Sequence, residues 1–152
     1  MAGLRDYKPL RLMAADADDL NVLSSVLQDA VVKIKDIAFD PDARRFALVL
    51  NRFVWECAAS GKSNMFARVR TGCHFDDVIS VSHQAIRQQA GEAVLDLLAV
   101  RFELGDDGDG AIYLDFAGGG GIRLDVESVN VAVRDLTDPW PTKSRPDHSS
   151  DA

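Results

Sequence analysis

Residues 97–133 read LLAVRFELGDDGDGAIYLDFAGGGGIRLDVESVNVAV, and their period decides the fold class. Leu98, Val100, Phe102 and Leu104 alternate, as do Ile112, Leu114 and Phe116, and then Ile122, Leu124 and Val126. A period of two marks a half-buried strand. GDDGDG (105–110) and AGGGG (117–121) between the runs are turn chemistry. The stretch therefore predicts a three-stranded antiparallel meander. The apolar set then changes parity to Val129, Val131 and Val133, which requires a bend at Glu127–Ser128.

The same period runs upstream. LRLMA (10–14) is a short apolar element, and Asp16 stands where a helix N-cap would, with Asp18 and Asp19 in the first turn. Leu20, Leu23 and Leu27, flanked by Val22 and Val26, predict an amphipathic helix of about three turns. VVKIKDIAF (31–39) reads as a strand closed by the turn DPDARR. Phe46, Leu48 and Leu50 alternate, but Phe53 and Trp55 continue on the other parity, so a β-bulge is expected at Asn51–Arg52. Residues 65–73 and 78–86 follow as two strands. EAVLDLLAVRFEL (92–104) opens with the composition of one helical turn and ends as a strand.

The expected fold is α+β and β-rich: one N-terminal amphipathic helix plus about eight mostly antiparallel strands, in a sandwich or partly open barrel. FALVLNRF, MFARVRTG and DDVISVSHQAI repeat in order as LLAVRFEL, AIYLDFAGG and GIRLDVESVNVAV. Two repeated three-stranded meanders would explain this, as would the turn chemistry that all hairpins share. Residues 1–136 are expected to form one globular domain. Residues 137–152, TDPWPTKSRPDHSSDA, are expected to be a Pro-rich polar tail.

Composition limits function. A chain of 152 residues buries enough surface to need no disulfide or metal staple. Its net charge of −7 argues against tracking a nucleic-acid backbone. No apolar run approaches the roughly 20 residues of a membrane span, and MAGLRDYKPLRLMAAD lacks the apolar core of a secretory signal. If residues 44–57 and 65–73 form a hairpin, Cys73 faces Leu48. Cys57 then lies about 30 Å away at about 3.4 Å per residue. A disulfide needs Cα atoms within about 7 Å, so both cysteines are expected to be free thiols in a reducing cytoplasm.

The runs LQDAVVKIKDIAF, RRFALVLNRFVWE, LLAVRFELGD, FAGGGGIRLDVE and the WPTKSRPDH tail also resemble a bacterial family known only as a domain of unknown function. The resemblance extends from Leu10 to His148. It implies a single bacterial, cytoplasmic domain and supplies no catalytic residue.

Cys73, His74, Asp76, Asp77 and His83 are the one metal-like cluster in the sequence. If 65–73 and 78–86 pair around a Phe75–Asp77 loop, His83 faces Val69 in the core while His74 points to the other side. The hairpin alone then cannot bring both to one zinc ion, whose Zn–N bonds are about 2.1 Å. GDDGDG lacks the spacing of a calcium loop, and the 118–121 glycines precede a strand rather than a phosphate-binding helix. No catalytic residue, metal ligand or cofactor is therefore expected.

Arg52, Arg68 and Arg70 could share a sheet face and, with His83, hold an anion or an acidic partner. Trp140, between Pro139 and Pro141, is expected to be extended, unable to donate to a sheet, and to dock its indole on an apolar surface. The favoured function is a non-enzymatic interaction or adaptor module with a protein partner or a second copy, and with neither nucleic acid nor membrane. The alternative is a small enzyme or binding protein for an anionic metabolite. One concave pocket holding His83 with an arginine would point to the alternative.

Overall fold

The computed structural model describes residues 7–56, 66–86 and 92–142. Strands β1 (Arg11–Ala14), β2 (Val31–Lys33), β3 (Ile37–Asp40), β4 (Arg45–Phe53), β5 (Phe66–Phe75) and β6 (Val78–Gln84) come first in the chain. They are followed by β7 (Val94–Leu104), β8 (Gly110–Phe116), β9 (Gly121–Val126), β10 (Val131–Asp135) and β11 (Trp140–Thr142). Helix α1 (Ala17–Leu27) lies between β1 and β2. The fold is α+β and β-rich, as the sequence predicts. The eleven described strands exceed the expected eight because LRLMA forms β1, VVKIKDIAF is split by a 3-10 turn and the tail contributes β11.

Helix α1 begins as read from the sequence. The Asp16 carboxylate accepts from the Asp19 N–H at 2.8 Å, and Asp18 and Asp19 sit in the first turn. Leu20, Leu23 and Leu27 are buried. The Ser24 hydroxyl accepts from the Val100 N–H at 2.9 Å, which ties the helix to β7. Among the described residues no helix is long and apolar enough to cross a membrane.

All strand pairs are antiparallel, in the order β1-β10-β5-β4-β2-β7-β8-β9-β6, with β11 beside β5 and β3 beside β4. Among the described residues the sheet does not close into a barrel. Its frame is two meanders, β3–β4–β5 and β7–β8–β9, each of which sends its next strand to the other. Strand β6 leaves β5 to pair with β9, and β10 leaves β9 to pair with β5. The two crossing corners clasp each other. The Asp76 N–H donates to the Asn130 carbonyl at 2.8 Å, and the Glu127 N–H to the Asp77 carbonyl at 3.0 Å. The Asp77 carboxylate accepts from Ser128 Oγ at 3.0 Å and Asn130 Nδ2 at 3.2 Å.

This exchange corrects three sequence expectations. The first meander is β3–β4–β5, not β4–β5–β6. Phe75–Asp77 is not a hairpin loop: Asp77, at φ +61°, turns the chain out of one half and into the other. His83 consequently faces Ile122 of β9, not Val69. The bend at Glu127–Ser128 is present, and it marks the second crossing.

The β4–β5 register pairs Leu48 with Cys73, as predicted, and continues without a shift to Phe53 and Arg68. No bulge lies at Asn51–Arg52. The alternation simply persists through Arg52, which points inward with Phe46, Leu48 and Leu50 and is fully buried. Phe53 is buried on the opposite face, beneath Trp55 at a centroid distance of 4.6 Å and the Arg68 guanidinium at 5.8 Å. Irregularities lie instead at Leu97/Ala99 in β7 and Val78/Ser80 in β6. The segment 94–104 is strand throughout, because its first residues pair with β2.

One core joins both halves: Leu23, Phe46, Leu50 and Phe75 pack in a single cluster with Val100, Ile112, Leu114 and Leu124. Cys73 lies in it as a free thiol, and burial pushes its pKa well up. Cys57 is outside the described residues.

Candidate functional site

Arg52, Arg68 and Arg70 do not share a face. Arg52 faces the interior, and Arg68 and Arg70 face outward from β5. The Arg52 guanidinium donates to Asp135 at 2.9 Å from Nε and 2.8 Å from Nη2, and to Glu56 at 3.1 and 3.0 Å. Both side chains of the Arg52–Asp135 pair are fully buried. Asp135 also accepts from Thr71 Oγ1 at 3.0 Å, from the Leu10 N–H at 2.8 Å and from the Tyr7 hydroxyl. Burial by itself would raise the Asp135 carboxyl. The bonds from Arg52, Tyr7 and the Leu10 N–H outweigh it and hold the carboxyl below the usual range. Burial and the bond to Asp135 push the Tyr7 phenol up. This network joins the N-terminal segment, β4, β5 and β10.

Arg68 donates to the backbone carbonyls of Asn51 at 3.0 Å and Asp29 at 3.2 Å. Arg70 donates to Asn51 Oδ1 and to Asp36, both at 3.4 Å. Trp140 is 38% exposed and lies beside Arg68 in β11. Its flanking prolines do not keep it out of the sheet, since an outermost strand needs only alternate N–H groups.

The metal-like sequence cluster is dispersed. His74 approaches Asp76 at 3.2 Å, Asp76 is held by Arg45 at 2.7 Å, and Asp77 is engaged in the corner clasp. Cys73 faces the core, while His83 lies in the other half of the sheet. Among the described residues no group of three or more His, Cys, Asp or Glu is placed to hold a metal ion.

Among the described residues strand β6 ends the strand order and pairs only with β9. His83 is on its inner side, like Val81, but is exposed because no described strand lies beyond it. The residue borders two clefts. On the solvent face of β6–β9–β8–β7, an open cleft of about 480 Å³ is lined by Ser82, His83, Gln84, Arg101, Tyr113 and Arg123, among others. Arg101, Tyr113, Arg123 and Ser82 form one cross-strand row. Arg101 lies 4.2 Å and Arg123 5.6 Å from the Tyr113 ring. Both arginines are also paired, with Asp115 at 2.7 Å and Asp125 at 3.0 Å. In the next row Gly121 separates Asp115 from Gln84 and leaves the hollow that deepens the cleft.

The second cleft, about 260 Å³, opens between β6 and β3. It is lined by Ile34, Ile37, Phe39, Val81 and Ile86, with His83 at its lip. Sequence reasoning selected His83 but not Arg101, Tyr113 or Arg123. Those three lie side by side on the outer face of the β7–β8–β9 meander, where charged and aromatic residues of outward parity read in the sequence as an ordinary solvated face.

Residues 10–148 match the model of a family described as a protein of unknown function, DUF2948. The chain belongs to that family. No curated protein and no solved structure matches it. Two chemically accessible features of this DUF2948 chain are the outer edge of β6 and the clefts that His83 borders.

Proposed function

We propose that this chain is a non-enzymatic interaction module of the bacterial cytoplasm that receives an extended segment of a protein partner on the edge of β6. The observation that supports the reading is the edge itself. From Val78 to Ile86 the sequence is VISVSHQAI, with no Asp, Glu, Lys, Arg or Pro, in a chain that is 27% charged. Sheet edges are ordinarily kept from pairing by charge, proline, shortness or a bulge, and beyond its irregularity at Val78/Ser80 β6 runs regularly from Ser80 to Gln84. The other outer strands follow that rule. β1 has four residues with Arg11 in it and Pro9 before it, β3 has four ending in Asp40, and β11 has three around Pro141. β6 has seven residues and carries exposed Ile79. An added strand would gain main-chain hydrogen bonds along β6, and its inward side chains would enter the apolar cleft between β6 and β3.

A photo-reactive amino acid in place of Ile79 tests this in cells, with the same group in place of Leu104 as control. A discrete protein adduct is expected from position 79 and not from 104. The adduct should disappear when Ser82→Lys and Gln84→Lys charge the edge. No adduct from 79, or one indifferent to those lysines, would overturn the reading.

One observation favours a second reading, an anionic small ligand: His83, Arg101 and Arg123 line one cleft. The aspartates already paired with both arginines weaken it.

A further inference from the structure

Among the described arginines, Arg44, Arg45, Arg52, Arg70, Arg101 and Arg123 pair with carboxylates. Arg68 donates to backbone carbonyls. Arg11 and Arg134 do neither within the described residues, and they stand directly opposite each other on β1 and β10. Both are exposed and point away from the core, because Leu12, Ala14, Val131 and Val133 take the inward positions. Like charges on directly opposed strand positions are destabilising. Among the described residues the pair is thus unfavourable and uncompensated, in a chain whose net charge is −7.

The pair stands at one side of a trough of about 570 Å³ on the outer face of the sheet. The Arg11–Arg134 row continues into Gly72 and Val49, and the neighbouring row runs Met13, Ala132, His74, Ala47. Gly72, Ala132 and Ala47 make a floor of small residues. Met13, 70% exposed, and Leu136, 47% exposed, stand above it. No residue lining the trough is acidic.

We propose that this trough binds an acidic peptide segment, with a carboxylate side chain bridging Arg11 and Arg134 and an adjacent apolar side chain lying between Met13 and Leu136. Guanidinium groups bind carboxylates through paired, charge-assisted hydrogen bonds. Opposed strand positions bring two side chains within about 4.5–5.5 Å at Cβ, close enough to converge on one anion. Arg45 also lines the trough but is held by Asp76, and the two remaining arginines are too few to follow a nucleic-acid backbone carrying one charge per about 1.7 Å. They also fall short of the clusters of about four to eight basic residues that bind anionic membranes. A bare anion would leave the apolar trough unused. The site shares no residue with the β6 edge and stands or falls independently of it.

The test is fluorescence anisotropy of a labelled peptide alternating glutamate and leucine, titrated with the full chain. Saturable binding that weakens as salt rises is expected. Arg11→Gln with Arg134→Gln should weaken it about tenfold or more, without lowering the melting temperature, since a repulsion is removed. Gly72→Leu fills the trough while keeping both charges. A Cβ there would lie 3.4 Å from the Leu136 side chain, which can shift, so this variant should fold and bind more weakly. Equal affinity for a glutamine–leucine peptide, or equal binding by the double variant, would overturn the proposal. So would full displacement by inorganic phosphate alone, or preference for a duplex oligonucleotide.

Discussion

Arg52→Met is expected to destabilise the fold by about 3–5 kcal/mol, the usual result of removing one partner from a buried ion pair. The substitution leaves the Asp135 carboxylate buried, with only Tyr7, Thr71 and the Leu10 N–H to hold it. Denaturant melts at neutral pH would measure the loss. The pH dependence gives a second readout. In the wild type the depressed Asp135 carboxyl contributes stability above its unfolded pKa, and that contribution is lost as pH falls through the folded value. In the variant, burial is less opposed and the carboxyl rises, so its penalty is relieved by acid. The gap between the two proteins should therefore narrow as pH falls. Replacing both partners, Arg52→Met with Asp135→Leu, should recover much of the stability, because no buried charge is then left unpaired and the half-exposed Glu56 side chain can turn to water. A single variant as stable as the wild type would show that Arg52 is not held as described.

Phe46→Ala should cost about 3–5 kcal/mol, as large core truncations do. For a chain of this size that lowers Tm by on the order of 10 °C. Phe46 is 2% exposed, lies 5.9 Å from Phe75 between ring centroids, and faces Phe39 across β3 and β4. It also lines the apolar cleft beside β6. Its loss should deepen that cleft while leaving the β6 backbone edge in place. A Tm within a degree or two of the wild type would contradict the packing described here.

Local features were read well from the sequence. The Asp16 cap, the helix face of Leu20, Leu23 and Leu27, the β7–β8 and β8–β9 hairpins and the Leu48–Cys73 pairing all follow from neighbours in the chain. What escaped was set by distant strands. Arg52 keeps the inward parity of Phe46, Leu48 and Leu50, yet a charged residue reads as outward-facing unless its partner is known. That partner, Asp135, keeps the inward parity of Val131 and Val133 and lies 83 residues away. Two opposite charges on inward parities were the available signal.

The error at β6 has a similar origin. A period of two is the same whether a strand returns along its predecessor or crosses to another meander. The Asp77 turn chose the second, and only the corner clasp with residues 127–130 shows it. The sequence reading puts His83 in the core opposite Val69; the residue instead lies opposite Ile122 and is exposed, because β6 is outermost among the described strands. The candidate site is legible in the sequence only as an absence of charge from 78 to 86, a feature that gains meaning once the strand is known to be an edge.

Amide hydrogen exchange measured on the chain alone, and on the chain bound to the partner identified by crosslinking from position 79, tests the central claim most directly. The account predicts slowed exchange concentrated in Val78–Gln84, with β1 (Arg11–Ala14) unchanged. Protection that appears elsewhere while Val78–Gln84 exchanges at its free rate would contradict it.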